Sequence, residues 1–405
     1  ATVTTDVEGK ATVEDLPLGK YRIEEVTAPD GYVLDTSAQE VEFVYDGQDQ
    51  PVISEEVTFT DERQKVSIMV EKQDEENGAL LPGASFGLYN QEAILVGEET
   101  IVEADTLLET VASDETGQAV FTEDLPFGKY YVKELAAPDG YISSDEILDF
   151  EFSYQGQNIP VVELKAVKAN KPTTVEVTKS DITTGVELSG ASLTVLDQEG
   201  NEVDSWVSVK DEPHVIKRLT VGKTYTLRET FAPYGYLKAT EITFTVEDTG
   251  DVQKVEMLDE VPTATLIVNK KGEFLESVTL VSEIKGVVEH IFNYITGNLK
   301  DVTFEVYAAE DIQMADGVSG YHYHKDELVA TITTDDSGIA KVENLPVGKY
   351  YVVEKETADG YVLDAEARYV DLSYRDQDTP VVTFDEDWQN NRQKVEVSVL
   401  KKEKD

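Results

Sequence analysis

Three kinds of polar side chain recur at positions where strand alternation predicts an apolar interior. The first is a lysine that ends an alternating segment, as in VSIMVEK, VEVTK, LIVNK and VEVSVLK. Successive side chains of a strand point to opposite faces, so each lysine shares a face with the apolar residues two and four positions before it. These lysines are Lys72, Lys179, Lys270 and Lys401.

The second kind is a glutamate that ends a stripe of the form Tyr-x-apolar-x-Glu. It occurs four times, as Glu25, Glu134, Glu229 and Glu354. Lysine and glutamate are almost never buried unless they are paired. A structural ion pair is the simple interpretation of one such pair, but matching positions in successive copies indicate a shared chemical role.

The third kind is an asparagine or aspartate that follows the glutamate at a nearly fixed distance. Asn170, Asn390 and Asp61 lie 36 residues after their glutamates, and Asp259 lies 30 residues after its own. Strand alternation places the two aspartates on the same face as the apolar residues before them. The alternation is poorer for the two asparagines, because Lys168 and Glu386 fall on the same predicted inner face.

If these three side chains are buried together, they could form an amide bond. The lysine amine would attack the asparagine carboxamide or the aspartate carboxyl group, and the glutamate would assist. Burial disfavours charge and can lower a lysine pKa by roughly 3–5 units, which yields the neutral amine that attack requires. The same burial keeps an acceptor aspartate neutral, and a glutamate could relay protons to the leaving group. Folding would supply an effective molarity on the order of 10^5 M or more.

The composition excludes several other functions. Lys and Arg number 34 against 82 Asp and Glu, a net charge of -48, which argues against nucleic-acid binding and adsorption to anionic membranes. Apolar residues make up 40% of the chain, too many for a disordered acidic tail. The absence of cysteine excludes disulfides and thiolate chemistry. No apolar run reaches membrane-spanning length, and no signal peptide is evident.

Internal repeats define the domain organisation. A turn, a short strand and a Pro/Gly turn ending in Tyr recur four times, beginning with LPLGKYRIEEVTAPDGY at residues 16–32. Residues 1–76 also align with residues 330–405 at a constant offset of 329. We therefore interpret the sequence as a window on a longer periodic array. The expected divisions are a partial domain at 1–63, domains at 64–171, 172–262 and 263–392, and the first strand of a further domain at 393–405.

The period of the apolar residues predicts an all-β fold. Segments rich in Val, Thr, Tyr and Phe alternate and are separated by Gly, Pro, Asp and Asn, which indicates tandem β-sandwiches arranged in a rod. One segment differs. Apolar residues between Leu280 and Ile295 follow helical spacing, so we expect one amphipathic helix in an insertion at about 273–300 of the fourth domain.

These motifs resemble tandem Cna-type B domains, the SpaA-like prealbumin-type modules in stalks of Gram-positive surface adhesins and pilins. The resemblance lies in the Lys-ending first strand, the E-x-x-A-P-x-G-Y box and the Asn or Asp of the last strand. It covers nearly the whole chain except the insertion. The fourth domain departs from the box, with Thr357-Ala358 where Ala-Pro is usual.

The resemblance implies a spontaneous isopeptide bond in each complete domain, assisted by the glutamate. The implied bonds are Lys72–Asn170 with Glu134, Lys179–Asp259 with Glu229, and Lys270–Asn390 with Glu354. Glu25 and Asp61 form an acceptor site without a donor lysine, and Lys401 is a donor without an acceptor. A strand from one molecule could bring Lys401 to Asp61 of another, although cut domain ends explain the same pattern more simply.

Other candidate sites carry weaker signals. His322 and His324 could share a metal ion, but no third ligand has a recognisable spacing, so a solvated loop is the better interpretation. The acidic clusters lack the pattern of a calcium-binding loop. We therefore expect no metal and no cofactor.

The sequence as a whole predicts a structural stalk segment of a bacterial adhesin or pilus protein, anchored to the Gram-positive cell wall outside the cell. Its expected partners are neighbouring domains of the same array, without nucleic acid or membrane insertion. Each site reacts once, so the chain is not an enzyme. The alternative function is a ligand-binding adhesin whose insertion or acidic face recognises a host extracellular protein.

Overall fold

The computed structural model describes residues 1–284 and 286–402. Every regular element within these ranges is a β-strand, so the predicted all-β class is confirmed. The chain divides into two compact units. The first contains Ala1–Thr173, Arg218–Val221 and Asp248–Gly250, and the second contains the other described residues.

The first 63 residues contain two small sheets, in which β1 pairs with β3 and β2 pairs with β4. The strands are β1 (Gly19–Glu24), β2 (Tyr32–Val33), β3 (Ala38–Phe43) and β4 (Glu62–Arg63). Residues 1–18 and 44–61 lie outside the strands. In the later domains a Lys-ending strand is the centre of one sheet, and residues 1–63 contain no such strand.

The second domain is a sandwich of two sheets, with strand orders β10-β5-β13 and β12-β11-β6-β9, and a small hairpin of β7 and β8. Its strands are β5 (Lys65–Asp74), β6 (Ser85–Asn90), β7 (Ile94–Val96), β8 (Glu99–Val102), β9 (Leu107–Ala112), β10 (Gln118–Phe121), β11 (Gly128–Ala136), β12 (Ile147–Phe152) and β13 (Val161–Asn170). Alternate residues of β5, including Ile68 and Val70, are buried against Phe86, Leu88 and Tyr130 of the other sheet.

The third domain repeats this arrangement, with strand orders β17-β14-β20 and β16-β15-β18-β19. Its strands are β14 (Thr174–Asp181), β15 (Ser192–Leu196), β16 (Glu202–Val207), β17 (His214–Lys217), β18 (Thr224–Phe231), β19 (Ile242–Thr245) and β20 (Gln253–Asp259). Val175, Val177, Leu193 and Leu227 are at most 2% exposed, so the apolar alternation again lies in the core.

The fourth domain has the same two sheets with one extended strand. Its first sheet contains β21 beside β27 and β30, and its second has the order β26-β23-β28-β29. The strands are β21 (Thr263–Ile284), β22 (Val287–Asn298), β23 (Thr303–Ala308), β24 (Ile312–Gln313), β25 (Tyr321–Tyr323), β26 (Leu328–Thr333), β27 (Ile339–Pro346), β28 (Gly348–Glu356), β29 (Arg368–Leu372) and β30 (Val381–Asn390).

The predicted helix in the insertion at about 273–300 is wrong. The end of β21 pairs there with β22 in an antiparallel hairpin, with Phe274 opposite Ile295 and Val278 opposite Phe292. Gly286 takes a positive φ of 79° at the turn. The segment is rich in Val, Ile, Thr and aromatic residues, which favour strands. Apolar residues on both faces of two strands, with two register shifts, imitate helical spacing.

In each of the three larger domains, the first strand lies parallel to and beside the last. The pairs are β5 with β13, β14 with β20, and β21 with β30. Strands at the two ends of a domain therefore become neighbours in one sheet. This pairing brings residues about one domain length apart in sequence into contact, and it positions the candidate site.

Candidate functional site

The predicted lysine, glutamate and acceptor meet in each of the three larger domains because of a shared register. In the second domain Lys72 lies opposite Lys168, and Asp74 lies opposite Asn170. The acceptor is thus two residues beyond the position that faces the lysine. Side chains two apart share a face of the sheet, so donor and acceptor both point into the core. The same offset recurs in the third and fourth domains.

In the second domain the three side chains form one buried cluster. Lys72 is fully buried, and its Nζ lies 3.2 Å from Glu134 Oε1. The Asn170 amide donates to both carboxylate oxygens of Glu134 at 2.9 Å. The Ser144 backbone N–H also donates to Glu134 Oε2, at 3.1 Å. The glutamate therefore contacts amine and amide together.

The acceptor carbonyls are buried without a hydrogen-bond partner in the described structure. These orphaned oxygens are Asn170 Oδ1 and Asn390 Oδ1, and one oxygen of Asp259, Oδ2, shares this state. An unpaired buried carbonyl oxygen costs desolvation energy. A half-turn of the Asn170 amide exchanges its oxygen and nitrogen, and protonated Glu134 could then donate to Oδ1 and polarise the carbonyl.

Burial lowers the pKa of Lys72 below its ordinary value, although the nearby Glu134 carboxylate opposes this effect. The pKa of Lys270 is lowered for the same reason, with Glu354 in opposition. At both amines, the loss of hydration lowers the pKa by more than the neighbouring glutamate raises it. The neutral nucleophile is thus favoured relative to an exposed lysine.

The third domain presents an aspartate to its lysine. Lys179 Nζ contacts Asp259 Oδ1 and lies 3.2 Å from Glu229 Oε1. Burial raises the pKa of Asp259 to about 7, against the opposing effect of Lys179 and with a further contribution from Glu229. The neutral form of this carboxyl group is therefore favoured relative to that of an exposed aspartate, and a neutral carboxyl carbon is the better electrophile.

The fourth domain adds one contact to the common arrangement. Lys270 Nζ lies 2.7 Å from Glu354 Oε2, and the Asn390 amide donates to Glu354 Oε1. The same amide nitrogen also donates to Thr357 Oγ1 at 2.7 Å. Thr357 is the residue that departs from the usual box, so this departure contributes a hydrogen bond at the acceptor and leaves Glu354 in place.

In the second and third domains the tyrosine of the box fixes the end of the donor strand. Tyr141 donates to Asp74 at 2.8 Å and Tyr236 donates to Asp181 at 2.6 Å, each aspartate lying two residues after the donor lysine. In the fourth domain Gly272 takes the place of the aspartate. A Cβ there would approach a ring carbon of Tyr361 to 2.4 Å, so only glycine fits beside that ring.

The first domain contains half of a site. Asp61 hydrogen-bonds to Glu25. Burial is the main reason that the Glu25 pKa is raised, and the hydrogen bond with Asp61 is the second. The Asp35 backbone N–H donates to Glu25 Oε2 at 3.2 Å, as Ser144 does in the second domain. Lys401 is exposed, and residues 393–402 lie outside the strands. The structure therefore joins Glu25 with Asp61 in the first domain.

The uncertain inward phase at the asparagines is explained by their neighbours. Lys168 is buried with only 1% exposed, whereas Glu386 is exposed and accepts a hydrogen bond from Trp388 Nε1 at 3.4 Å. Asn170 and Asn390 are both 2% exposed. The alternation of the strand predicts that Lys168 lies on the inner face, but it does not indicate what the residue does there.

A family model for the SpaA prealbumin-like fold domain matches residues 1–58, 66–166, 173–261 and 294–388. The chain belongs to the SpaA prealbumin-like family. The four matches confirm the resemblance drawn from the repeated motifs. The matched ranges omit residues 262–293, which include most of the fourth-domain hairpin.

Several solved structures are similar to this SpaA-family chain. The Bacillus anthracis TIE protein is 23% identical with a TM-score of 0.47, over 89% of this chain and 55% of that one. This chain thus spans about half the length of that protein. BcpA, the major pilin subunit of Bacillus cereus, is 14% identical with a TM-score of 0.40, over 82% of this chain and 100% of its own.

The major pilin SpaD from Corynebacterium diphtheriae is 15% identical with a TM-score of 0.33, over 82% of this chain and 98% of its own. A comparison with curated protein sequences found no match.

No group of three or more histidine or acidic side chains within residues 1–284 and 286–402 is placed to hold a metal ion. His324 lies 3.5 Å from Asp311, and both side chains are more than half exposed. The described part of this SpaA-family chain also contains no helix long and apolar enough to cross a membrane.

Proposed function

We propose that this SpaA-family chain is a load-bearing stalk segment of a bacterial adhesin or pilus protein, stabilised by intramolecular isopeptide bonds. One observation carries the proposal. In three successive domains a buried lysine of the first strand and a buried Asn or Asp of the last strand contact the same buried glutamate. A structural ion pair alone does not require the third residue in all three sites.

The reaction at Asn170 balances with the groups present. The neutral amine of Lys72 attacks Cγ of Asn170 while protonated Glu134 donates to the carbonyl oxygen. The carboxylate then takes a proton from the attacking nitrogen and delivers it to the leaving amine. The Cγ–Nδ2 bond breaks and ammonia leaves. The proton on the former carbonyl oxygen then returns to Glu134, so the amide carbonyl re-forms and Glu134 ends protonated as it began. At Asp259 the same sequence releases water.

Each site reacts once, because its product is part of the folded chain. Folding brings an amine and a carbonyl together that are about one domain apart in sequence, and the buried site holds them without competing water. Such orientation is the source of large effective molarities. The proposed activity is therefore self-processing, without turnover of an external substrate.

The parallel pairing of first and last strands supports a mechanical role. A pulling force that enters at the start of β5 travels along that strand to Lys72. It would then cross the proposed bond to Asn170 and leave at the end of β13. The residues between the two linked positions carry no load, so the sandwich does not unfold under tension.

Contacts between successive domains also suit a stalk. The Ala28 backbone N–H donates to Gln157 Oε1 at 3.0 Å, which joins the first and second domains. The Ala232 N–H donates to Gln377 Oε1 at 2.8 Å, which joins the third and fourth. In both pairs the alanine of the A-P-x-G-Y segment in one domain donates to a glutamine side chain in a loop of the next domain. A repeated contact of this kind limits bending within each pair.

A location on the Gram-positive cell wall follows from the same proposal. Outside the cell, small domains usually gain stability from disulfides, and this chain contains no cysteine. Isopeptide bonds would supply the cross-links instead. Neighbouring SpaA-like domains of one array are the proposed partners.

Single-molecule force spectroscopy tests the proposed function. The second, third and fourth domains should show no extension from their linked segments. A variant carrying Glu134→Gln, Glu229→Gln and Glu354→Gln should show three further unfolding events of different length, roughly 270–430 Å for segments of about 80 to 120 residues. Glu25→Gln is the matched control and should change nothing. The same three events in the unaltered chain would refute the stalk mechanism.

The exposed hairpin formed by the end of β21 and by β22 supports ligand binding as a second candidate function. Leu275 pairs with Tyr294 and Val278 pairs with Phe292, so these side chains share one face of the ribbon. They are between 38% and 55% exposed. A contiguous exposed apolar face is typical of protein interaction sites. We propose that this face binds an apolar surface of a host extracellular-matrix protein.

Replacing residues of this face tests the second function. The double variant Val278→Ser, Phe292→Ser should lose binding to immobilised matrix proteins at least tenfold, because it removes two apolar side chains from the contact. Ser277→Ala on the opposite face is the control and should bind like the unaltered chain. The proposed adhesive role is wrong if the unaltered chain binds no member of a panel of matrix proteins, or if the double variant binds equally well.

A further inference from the structure

One residue of the last strand lies directly opposite the donor lysine in each domain. Lys168 faces Lys72, Met257 faces Lys179, and Trp388 faces Lys270. These positions lie two residues before the acceptors. Lys168 is the charged member of the three, and it stands beside an asparagine acceptor.

Lys168 is held as a buried cation. Its side chain is 1% exposed, and its Nζ donates to Ser144 Oγ at 2.8 Å and to the Glu146 carbonyl at 3.0 Å. Glu146 Oε2 completes an ion pair with it at 2.8 Å. The Glu146 side chain is 72% exposed, so water screens the carboxylate far more than it screens the ammonium group.

We propose that Lys168 is a positioning residue for bond formation in the second domain, where its charge favours the neutral amine of Lys72 as the nucleophile that attacks Asn170. This inference rests on the proposed cross-linking function. Lys72 Nζ also lies 3.4 Å from the backbone carbonyl of Lys168, to which it donates. Lys168 therefore contributes both a nearby charge and a hydrogen-bond acceptor that orients the amine.

The charged groups that act on Lys72 are Glu134 and Lys168. Burial is the largest influence on the Lys72 pKa and lowers it, Glu134 raises it, and the like charge of Lys168 lowers it. Glu134 must stay close because it serves the acceptor, but while it is ionised it holds the proton on Lys72. Lys168 Nζ bonds to Ser144 and Glu146 rather than to Glu134. Its charge therefore opposes protonation of Lys72 without a direct contact that would hold Glu134 ionised.

The fourth domain, which also has an asparagine acceptor, obtains a second cation in another way. Trp388 occupies the opposing position, and the Arg368 guanidinium lies 4.8 Å from its ring centroid. Arg368 also pairs with Asp364 at 2.7 Å. Arg368 lowers the pKa of Lys270 and Asp364 raises it, after the larger effects of burial and Glu354.

The third domain has the opposite requirement. Its acceptor Asp259 must be protonated to be attacked, and a second cation would hold it ionised. The charged groups that act on Asp259 are Lys179 and Glu229, and the opposing residue is the uncharged Met257. Lys168 thus accompanies Asn170, Arg368 with its partner Asp364 accompanies Asn390, and the uncharged Met257 accompanies Asp259.

The rate of bond formation in newly made chains tests this inference. The full chain is synthesised in a cell-free system, shifted to buffers between about pH 6 and pH 9, and sampled into denaturant. Peptide mass spectrometry then gives the linked fraction of each domain with time. The variants are Lys168→Met, Lys168→Arg and Met257→Lys, and the other two domains of each chain serve as internal controls.

Lys168→Met should slow linking in the second domain about three- to tenfold at pH 7 and move its pH–rate profile upward by about half to one unit. Lys168→Arg should restore rate and profile, which separates loss of charge from misfolding. Met257→Lys should slow linking at Asp259. The inference is wrong if Lys168→Met slows linking in the second domain equally at every pH, or does not slow it at all. Absence of the linked peptide from the unaltered chain would instead overturn the proposed function.

Discussion

The intact chain is expected to have a mass below that of its sequence by two molecules of ammonia and one molecule of water. Bond formation at Asn170 and Asn390 releases ammonia, and bond formation at Asp259 releases water. Electrospray mass spectrometry under denaturing conditions measures the difference directly. The expected result depends on the three buried clusters, in which lysine, glutamate and acceptor lie within contact distance.

Single glutamate variants assign each lost molecule to its domain. Glu134→Gln should restore one ammonia and Glu229→Gln should restore the water, because each site is self-contained. Glu25→Gln is the matched control. It should leave the mass deficit unchanged, since no lysine of residues 1–284 and 286–402 is among the groups that shift the Glu25 pKa. A mass equal to the sequence value in the unaltered chain would remove the chemical basis of the proposal.

The sandwich fold was predictable because strand alternation is a local property. Each strand of the Val175-Glu176-Val177 kind buries every second residue, and the turns between strands carry Gly, Pro and Asp. The hairpin at residues 273–298 was not predictable in the same way. Its apolar residues lie on both faces of an exposed ribbon, so no single buried face sets their spacing.

The donor and glutamate positions of the site were predictable for the same local reason. Lys72 continues the stripe of Ile68 and Val70, and Glu134 continues that of Tyr130 and Val132. All of these side chains are buried. The acceptors were located by their constant distance from the glutamates, although the alternation near Asn170 was ambiguous.

The surroundings of the site depend on contacts that no local pattern encodes. The partners of Lys168 are Ser144 and Glu146, which lie in a loop more than twenty residues away. Likewise, the contact of Thr357 with Asn390 joins a turn to the end of the last strand. Such contacts follow from the packing of whole strands, so a single sequence does not show them.

Replacing Lys179 with methionine is expected to lower the melting midpoint of the third domain by about 20–30 °C. Lys179 and Asp259 are 80 residues apart, and a cross-link closing a loop of this length removes about 4.5 kcal/mol of unfolded-state entropy in the loop-closure model. Methionine retains most of the aliphatic volume, so the core stays filled. Calorimetry and protease digestion at rising temperature both report the change, and Lys72→Met should leave this transition unmoved.

Denaturant unfolding distinguishes a lost cross-link from a lost ion pair. A cross-linked chain stays compact when it unfolds, so removal of the bond should raise the dependence of unfolding free energy on urea concentration. Loss of a buried Lys179–Glu229 ion pair would lower stability without changing that dependence. Lys179→Met should therefore show both a lower midpoint and a steeper urea dependence. A lower midpoint with an unchanged slope would show that the three side chains stabilise the domain without a covalent bond.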